Sequence, residues 1–147
     1  MFAAHQLDLP IGFAAARDKL ARLAEDGGLR GASQRSYDGG VDHLLRVGPV
    51  SKLVRISFLA PVYSDDAMSL GLRWEATGIT GGLFPVLDAN ITATRAGQQT
   101  TKLTLVGSYR PPLGPLGAGL DKAILNQVGA ATMRALLEDV ADAMTTA

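Results

Sequence analysis

His43 is the side chain in this sequence best suited to move a proton, because an imidazole titrates near neutral pH. It sits between Val41, Leu45 and Val47 at alternate positions, which reads as the inward side of a strand. There it would act as a polar anchor or an acid–base group, or else as a buried histidine bonded to backbone or water. Tyr109 ends an apolar alternating run and would bring a phenolic hydroxyl to the rim of whatever that strand lines. Trp74, the single tryptophan, offers a wide apolar wall with one N–H donor. His5, close to the start of the chain, has no partner of known position. Metal sites take three or four ligands, so no metal site is expected. With 0 cysteines there are no disulfides or thiolate nucleophiles. No serine stands in a nucleophile-elbow setting. The glycine run Gly78-Ile79-Thr80-Gly81-Gly82-Leu83 has neither the phosphate-loop spacing nor the dinucleotide pattern. It reads as a loop between strands. No cofactor is implied. Arg73 and Glu75 lie on the opposite side from Trp74 and read as a solvated pair, and Thr92, Thr94 and Thr104 as an exposed β surface.

The elements that must position these groups belong to one domain, residues 1–147, long enough to bury a core. Apolar residues make up 47% and charged residues 19%, with a formal net charge of zero. That balance leaves no electrostatic footprint for nucleic acid or an anionic membrane. No run of about 18 apolar residues suggests a membrane span. The first residues lack the basic-then-apolar order of a secretory signal. The expectation is a cytoplasmic protein.

Phe2–Leu9 reads as a short strand ended by Pro10. Ile11–Glu25 reads as a helix, with Phe13, Ala16, Leu20 and Leu23 on one face and Asp26-Gly27-Gly28 as its stop. A second, much shorter helical turn has room after it. Ala32–Tyr37 and Val41–Val47 flank Asp38-Gly39-Gly40, a hairpin signal. Leu53–Tyr63 alternates with Val54, Ile56, Phe58, Ala60 and Val62 on one side. Further alternation places Met68, Leu70, Leu72, Trp74 and Ala76 together, then Leu87, Ala89, Ile91 and Ala93, then Leu103 and Leu105. Short connections make these strands antiparallel neighbours, each with one apolar face to cover.

What remains to cover them is the end of the chain. After Pro111-Pro112-Leu113-Gly114-Pro115 comes a proline-free stretch of roughly thirty residues. As one helix it would span about 45 Å. The expected architecture is α+β: a curved antiparallel sheet of six to seven strands gripping a long C-terminal helix.

This order, with its strand, proline-rich break and long helix from Gly117 to Val140, resembles the SRPBCC or START-like superfamily. That is the helix-grip fold of birch-pollen allergens, lipid-transfer START domains and polyketide cyclases. The resemblance implies a cavity between sheet and helix that accepts a small hydrophobic or lipid-like molecule, and it implies no particular reaction. On that reading Phe58, Leu72, Trp74, Ile91 and Leu105 line the sheet side and Leu120, Ile124 and Val128 the helix side, with His43 and Tyr109 as polar anchors. Two rival readings stay open: a cyclase or dehydratase acting on a polyketide-like substrate, and a protein-interaction module such as a chaperone partner or toxin-like regulator.

The long helix itself poses a problem. Leu116, Leu120, Ile124, Val128 and Ala131 share one face, which runs on into Arg134, Glu138 and Asp142. Met133, Leu136, Leu137, Val140 and Met144 lie nearly opposite. Either the helix bends near Gly129 or its two halves have different cover. One half would pack on the sheet and the other beside the first helix, or the first half would lid the cavity, or one stripe would meet a second subunit in a homodimer.

Overall fold

Alternation of apolar and polar side chains decides how the strands stack, and the register makes that alternation explicit. The computed structural model describes the backbone of residues 2–45, 54–76, 86–110 and 122–146, and the side chains of 3–36, 55–74, 87–108, 127 and 129–146. Strand β1 (Phe2–Leu9) is followed by helices α1 (Phe13–Asp26) and α2 (Gly28–Leu45). Strands β2 (Val54–Phe58), β3 (Val62–Tyr63), β4 (Ala67–Ala76), β5 (Val86–Gly97) and β6 (Thr100–Arg110) come next, and then helix α3 (Lys122–Thr145). The six strands form one antiparallel sheet in the order β1-β6-β5-β4-β2, with β3 also on β4. This is the expected α+β helix-grip arrangement.

Rows of inner-face side chains run straight across the sheet. His5, Leu105, Ile91 and Leu70 are successive cross-strand partners, as are Leu7, Leu103, Ala93 and Met68. A third row passes through Ala3, Gly107, Ala89, Leu72 and Phe58. A Cβ on Gly107 would come within 2.6 Å of both the Ala89 Cβ and the Asp88 carbonyl oxygen. Ordinary cross-strand Cβ atoms stand about 4.5–5.5 Å apart. The inner face therefore has no room for a side chain at this row.

Helix α3 packs on β1, β6 and both other helices. Its 24 residues correspond to about 36 Å. The second apolar set is the buried one: Met133, Leu136, Val140 and Met144 are inaccessible, while Arg134, Glu138 and Asp142 face solvent. Ala131, where the first stripe ends, is exposed. The C-terminal half is thus fixed core. Arg35 on α2 reaches Asp139 on α3 at 3.4 Å, an exposed tie worth little. Helix α1 buries Phe13, Ala16 and Leu20 and ends at Gly27, whose φ of 88° is the left-handed conformation that favours glycine.

Two expectations are corrected. The hairpin across Asp38-Gly39-Gly40 does not exist: α2 runs unbroken for 18 residues from Gly28 to Leu45. Leu29, Ala32, Ser33 and Ser36 are all buried at helical spacing, and this stripe packs on α3 and β2. Each interior glycine costs a helix roughly 1 kcal/mol, and tertiary burial outweighs that local preference. The helix expected to be a short turn is the longer of the first two. Second, Leu53–Tyr63 is not one strand. Pro61 lacks the N–H a ladder needs, so pairing stops at Phe58 and resumes at Val62. Ala60 and Val62, expected on the inner side, are exposed. The loop 77–85 and the segment 111–121 lie outside the described residues.

The lack of room at Gly107 yields a paired prediction. Gly107→Ala should destabilise the fold by about 1–3 kcal/mol in urea unfolding. Gly97→Ala, whose Cβ would meet nothing closer than 3.7 Å, should stay within about 0.5 kcal/mol.

Candidate functional site

The inner face of the sheet between β2 and β6 gathers five of the residues singled out above. Phe58 and Leu72 are direct cross-strand partners, as are Ile91 and Leu105. Trp74 stands between Ile56 and Leu87 in the next row. Leu72, Trp74, Ile91 and Leu105 are almost wholly buried, and Phe58 is half-buried at the open end of its row. Tyr109 pairs with Leu87, so its position continues the row of Ile56 and Trp74; its side chain lies outside the described residues.

His43 is on α2, not on a strand. Helical spacing from Ser36 places its position on the stripe of Leu29, Ser33 and Ser36, and its side chain is not among those described. Ile124 and Val128 are on α3, likewise without described side chains, and Leu120 lies outside the described residues.

The inner wall is not purely apolar. His5, on the inward side of β1 opposite Leu105, has a buried Nε2 without a hydrogen-bond partner among the described residues. Ser33 and Ser36 of α2 carry buried hydroxyls in the same condition. Buried polar atoms in native proteins nearly always have a partner, of protein or otherwise. All three sit on elements that pack against α3. The parity of His5 with Leu7 and Leu9 is visible in the sequence; the shared stripe of the two serines is not, because it exists only once 28–45 is a helix. Thr101, the other interior hydroxyl on the sheet, is satisfied by the Ile11 carbonyl at 2.8 Å.

At the open end, Arg30 of α2 donates from Nη1 to the Ile56 carbonyl oxygen at 2.9 Å. Its guanidinium lies over the Phe58 ring, 5.4 Å from the centroid, a cation–π distance. Helix α2 and the end strand β2 are thereby joined at the rim of the inner face.

The outer face carries a separate, half-open groove of about 570 Å³ floored by Gly71, Asn90 and Val106. Leu59, 70% exposed, lies across Gly71, where a Cβ would come within 2.8 Å of its side chain. Arg73 here faces Asp88 directly across the sheet at 3.5 Å. Glu75, the partner expected from sequence, has no described side chain. Thr92 and Thr104 are half-buried rather than open, with the Thr92 hydroxyl 3.1 Å from that of Ser69. Among the described residues no group of three His, Asp or Glu side chains is placed to hold a metal ion. No helix among them is long and apolar enough to cross a membrane.

No protein-family model matches the chain, and no curated protein matches it by sequence. Solved structures do match in shape. A conserved protein from Geobacillus kaustophilus superposes with a TM-score of 0.54 at 11% identity, over 98% of this chain and 95% of that one. A hypothetical protein from Helicobacter pylori gives 0.53 at 9% identity, over 95% and 85%. The Zhui aromatase/cyclase from a Streptomyces species is a weaker match, with a TM-score of 0.40 at 11% identity over 97% and 94%. At such identities the likeness is one of fold alone: the two better-superposing structures share the arrangement of sheet and helices described above.

If the His5 imidazole is an unpartnered polar group in the protein alone, His5→Leu removes a desolvation cost. Unfolding free energy in urea should then be unchanged or rise by about 1 kcal/mol. A loss above about 2 kcal/mol would mean that the ring is satisfied by the fold itself.

Proposed function

We propose that the chain binds a small hydrophobic or lipid-like molecule between the inner face of the sheet and α3. The observation that carries this reading is a set of buried polar atoms without partners among the described residues, His5 Nε2 and the Ser33 and Ser36 hydroxyls, set in a mostly apolar interior. A bound molecule with one or two polar atoms would supply the missing bonds, and its apolar body would bury against the sheet. Phe58, Leu72, Trp74, Ile91 and Leu105 form the sheet wall of this site, and its helix wall is assigned from the sequence to Leu120, Ile124 and Val128. His43 and Tyr109 join His5 as groups that orient the ligand.

Burial of apolar surface is worth about 25 cal/mol per Å². A ligand burying roughly 300 Å² therefore gains on the order of 7 kcal/mol before the costs of association. Polar contacts then decide orientation more than affinity. The fold supports this reading by giving the sheet one continuous apolar face and setting a helix over it. No bond-breaking step is assigned, because no nucleophile and base are brought together among the described residues.

Two measurements test it. Native mass spectrometry of the purified protein should show an added mass that denaturation releases. Trp74, the single tryptophan, should report titration with an apolar dye by a change in its emission. Ile124→Trp, which enlarges the helix wall, should weaken dye uptake by roughly tenfold. Unaltered uptake in this variant would remove α3 from the site.

A further inference from the structure

We infer that Arg30 selects ligands with a carboxylate head, so that the proposed site takes amphiphilic acids in preference to neutral molecules of the same shape. This rests on the ligand-binding reading and adds the chemical class. Four arginines have carboxylate partners: Arg17 with Asp18, Arg35 with Asp139, Arg73 with Asp88 and Arg95 with Asp66. Arg30 forms no ion pair among the described residues. It is nevertheless held in place, by the Ile56 carbonyl at one nitrogen and by the Phe58 ring against its plane.

Arg17 and Arg95 also lie over a ring, that of Phe13, but each has a carboxylate partner as well, whereas Arg30 is placed by ring and backbone. Here one N–H is committed to backbone, and the rest of the fork has no acceptor among the described residues. Planar carboxylates match that fork with two parallel bonds, and pre-positioning lowers the entropy lost on forming them.

The surroundings set the other half of the specificity. Phe58 is half-buried beneath the guanidinium; its cross-strand neighbour Leu72 is 3% exposed, and Ile56 is 4% exposed. Moving inward from Arg30, the wall turns from cationic to aromatic to aliphatic within one cross-strand pair. An acid head at Arg30 with its chain directed over Phe58 toward Leu72 and Trp74 fits this gradient. A neutral head would leave the fork to water.

The experiment compares dodecanoate with 1-dodecanol, each below its aggregation limit, by calorimetry and Trp74 emission, for wild-type protein, Arg30→Met and Arg30→Lys. Wild-type protein should bind the acid roughly tenfold more tightly than the alcohol. Arg30→Met keeps an aliphatic stem on Phe58; it should bring the ratio near one by weakening the acid alone. Arg30→Lys keeps the charge without the fork and should give an intermediate ratio; it also serves if the Met variant does not fold. Equal wild-type affinities, or a ratio unmoved by the variant that folds, would overturn the assignment to Arg30 while leaving the site intact. Wild-type protein that takes up neither chain overturns the ligand-binding reading, and this one with it.

Discussion

Everything on the inner face depends on how closely β5 and β6 approach at Ala89 and Gly107. There is no space for a Cβ on Gly107, since Ala89 and the Asp88 carbonyl already occupy it. Small residues at this row make that approach possible. It is bought with lost side-chain volume. The sheet regains it in the neighbouring rows, where Leu70, Ile91 and Leu105 fill the inner face.

The two ends of the molecule then play different parts. Around the C-terminal half of α3 the packing is complete, with Met133, Leu136, Leu137, Val140 and Met144 inaccessible. Toward β2 the inner face ends in a half-buried aromatic and an arginine shared between strand and helix. Stability is thus concentrated away from the rim where recognition is proposed. That separation lets rim residues vary with little effect on the fold.

Much of this was legible from residues alone. Period-two alternation in β4, β5 and β6 correctly assigned the inner faces, because those strands are regular and bounded by turns. Gly27 marked the end of α1. The nearly opposite stripes of the last helix fitted a bend or two kinds of cover, and the second stripe, from Met133 to Met144, is buried. What failed had local causes. Asp38-Gly39-Gly40 has the chemistry of a tight turn, yet it lies inside a helix held by Leu29, Ala32, Ser33 and Ser36. The apolar alternation of Val41, His43 and Leu45 fitted a strand equally well, and periodicity over so few residues does not discriminate. The missing donor of Pro61 outweighs the alternation around it. The ligand count that excludes a metal at His5 says nothing of its inward parity with Leu7 and Leu9. Arg30 gave no signal, since its partners Ile56 and Phe58 are 26 and 28 residues away and only the fold brings them near.

The pairing of β1 with β6 also bears on how the molecule forms. Phe2 meets Ser108 and Leu9 meets Thr101, so the first strand has no neighbour until almost the whole sheet exists. Closing that gap of roughly a hundred residues costs chain entropy early and is repaid late. On a ribosome the opening segment would wait, unpaired, until β6 has emerged and α3 can be set over both. Until β6 forms, the apolar side of β1 therefore has no strand to pair with.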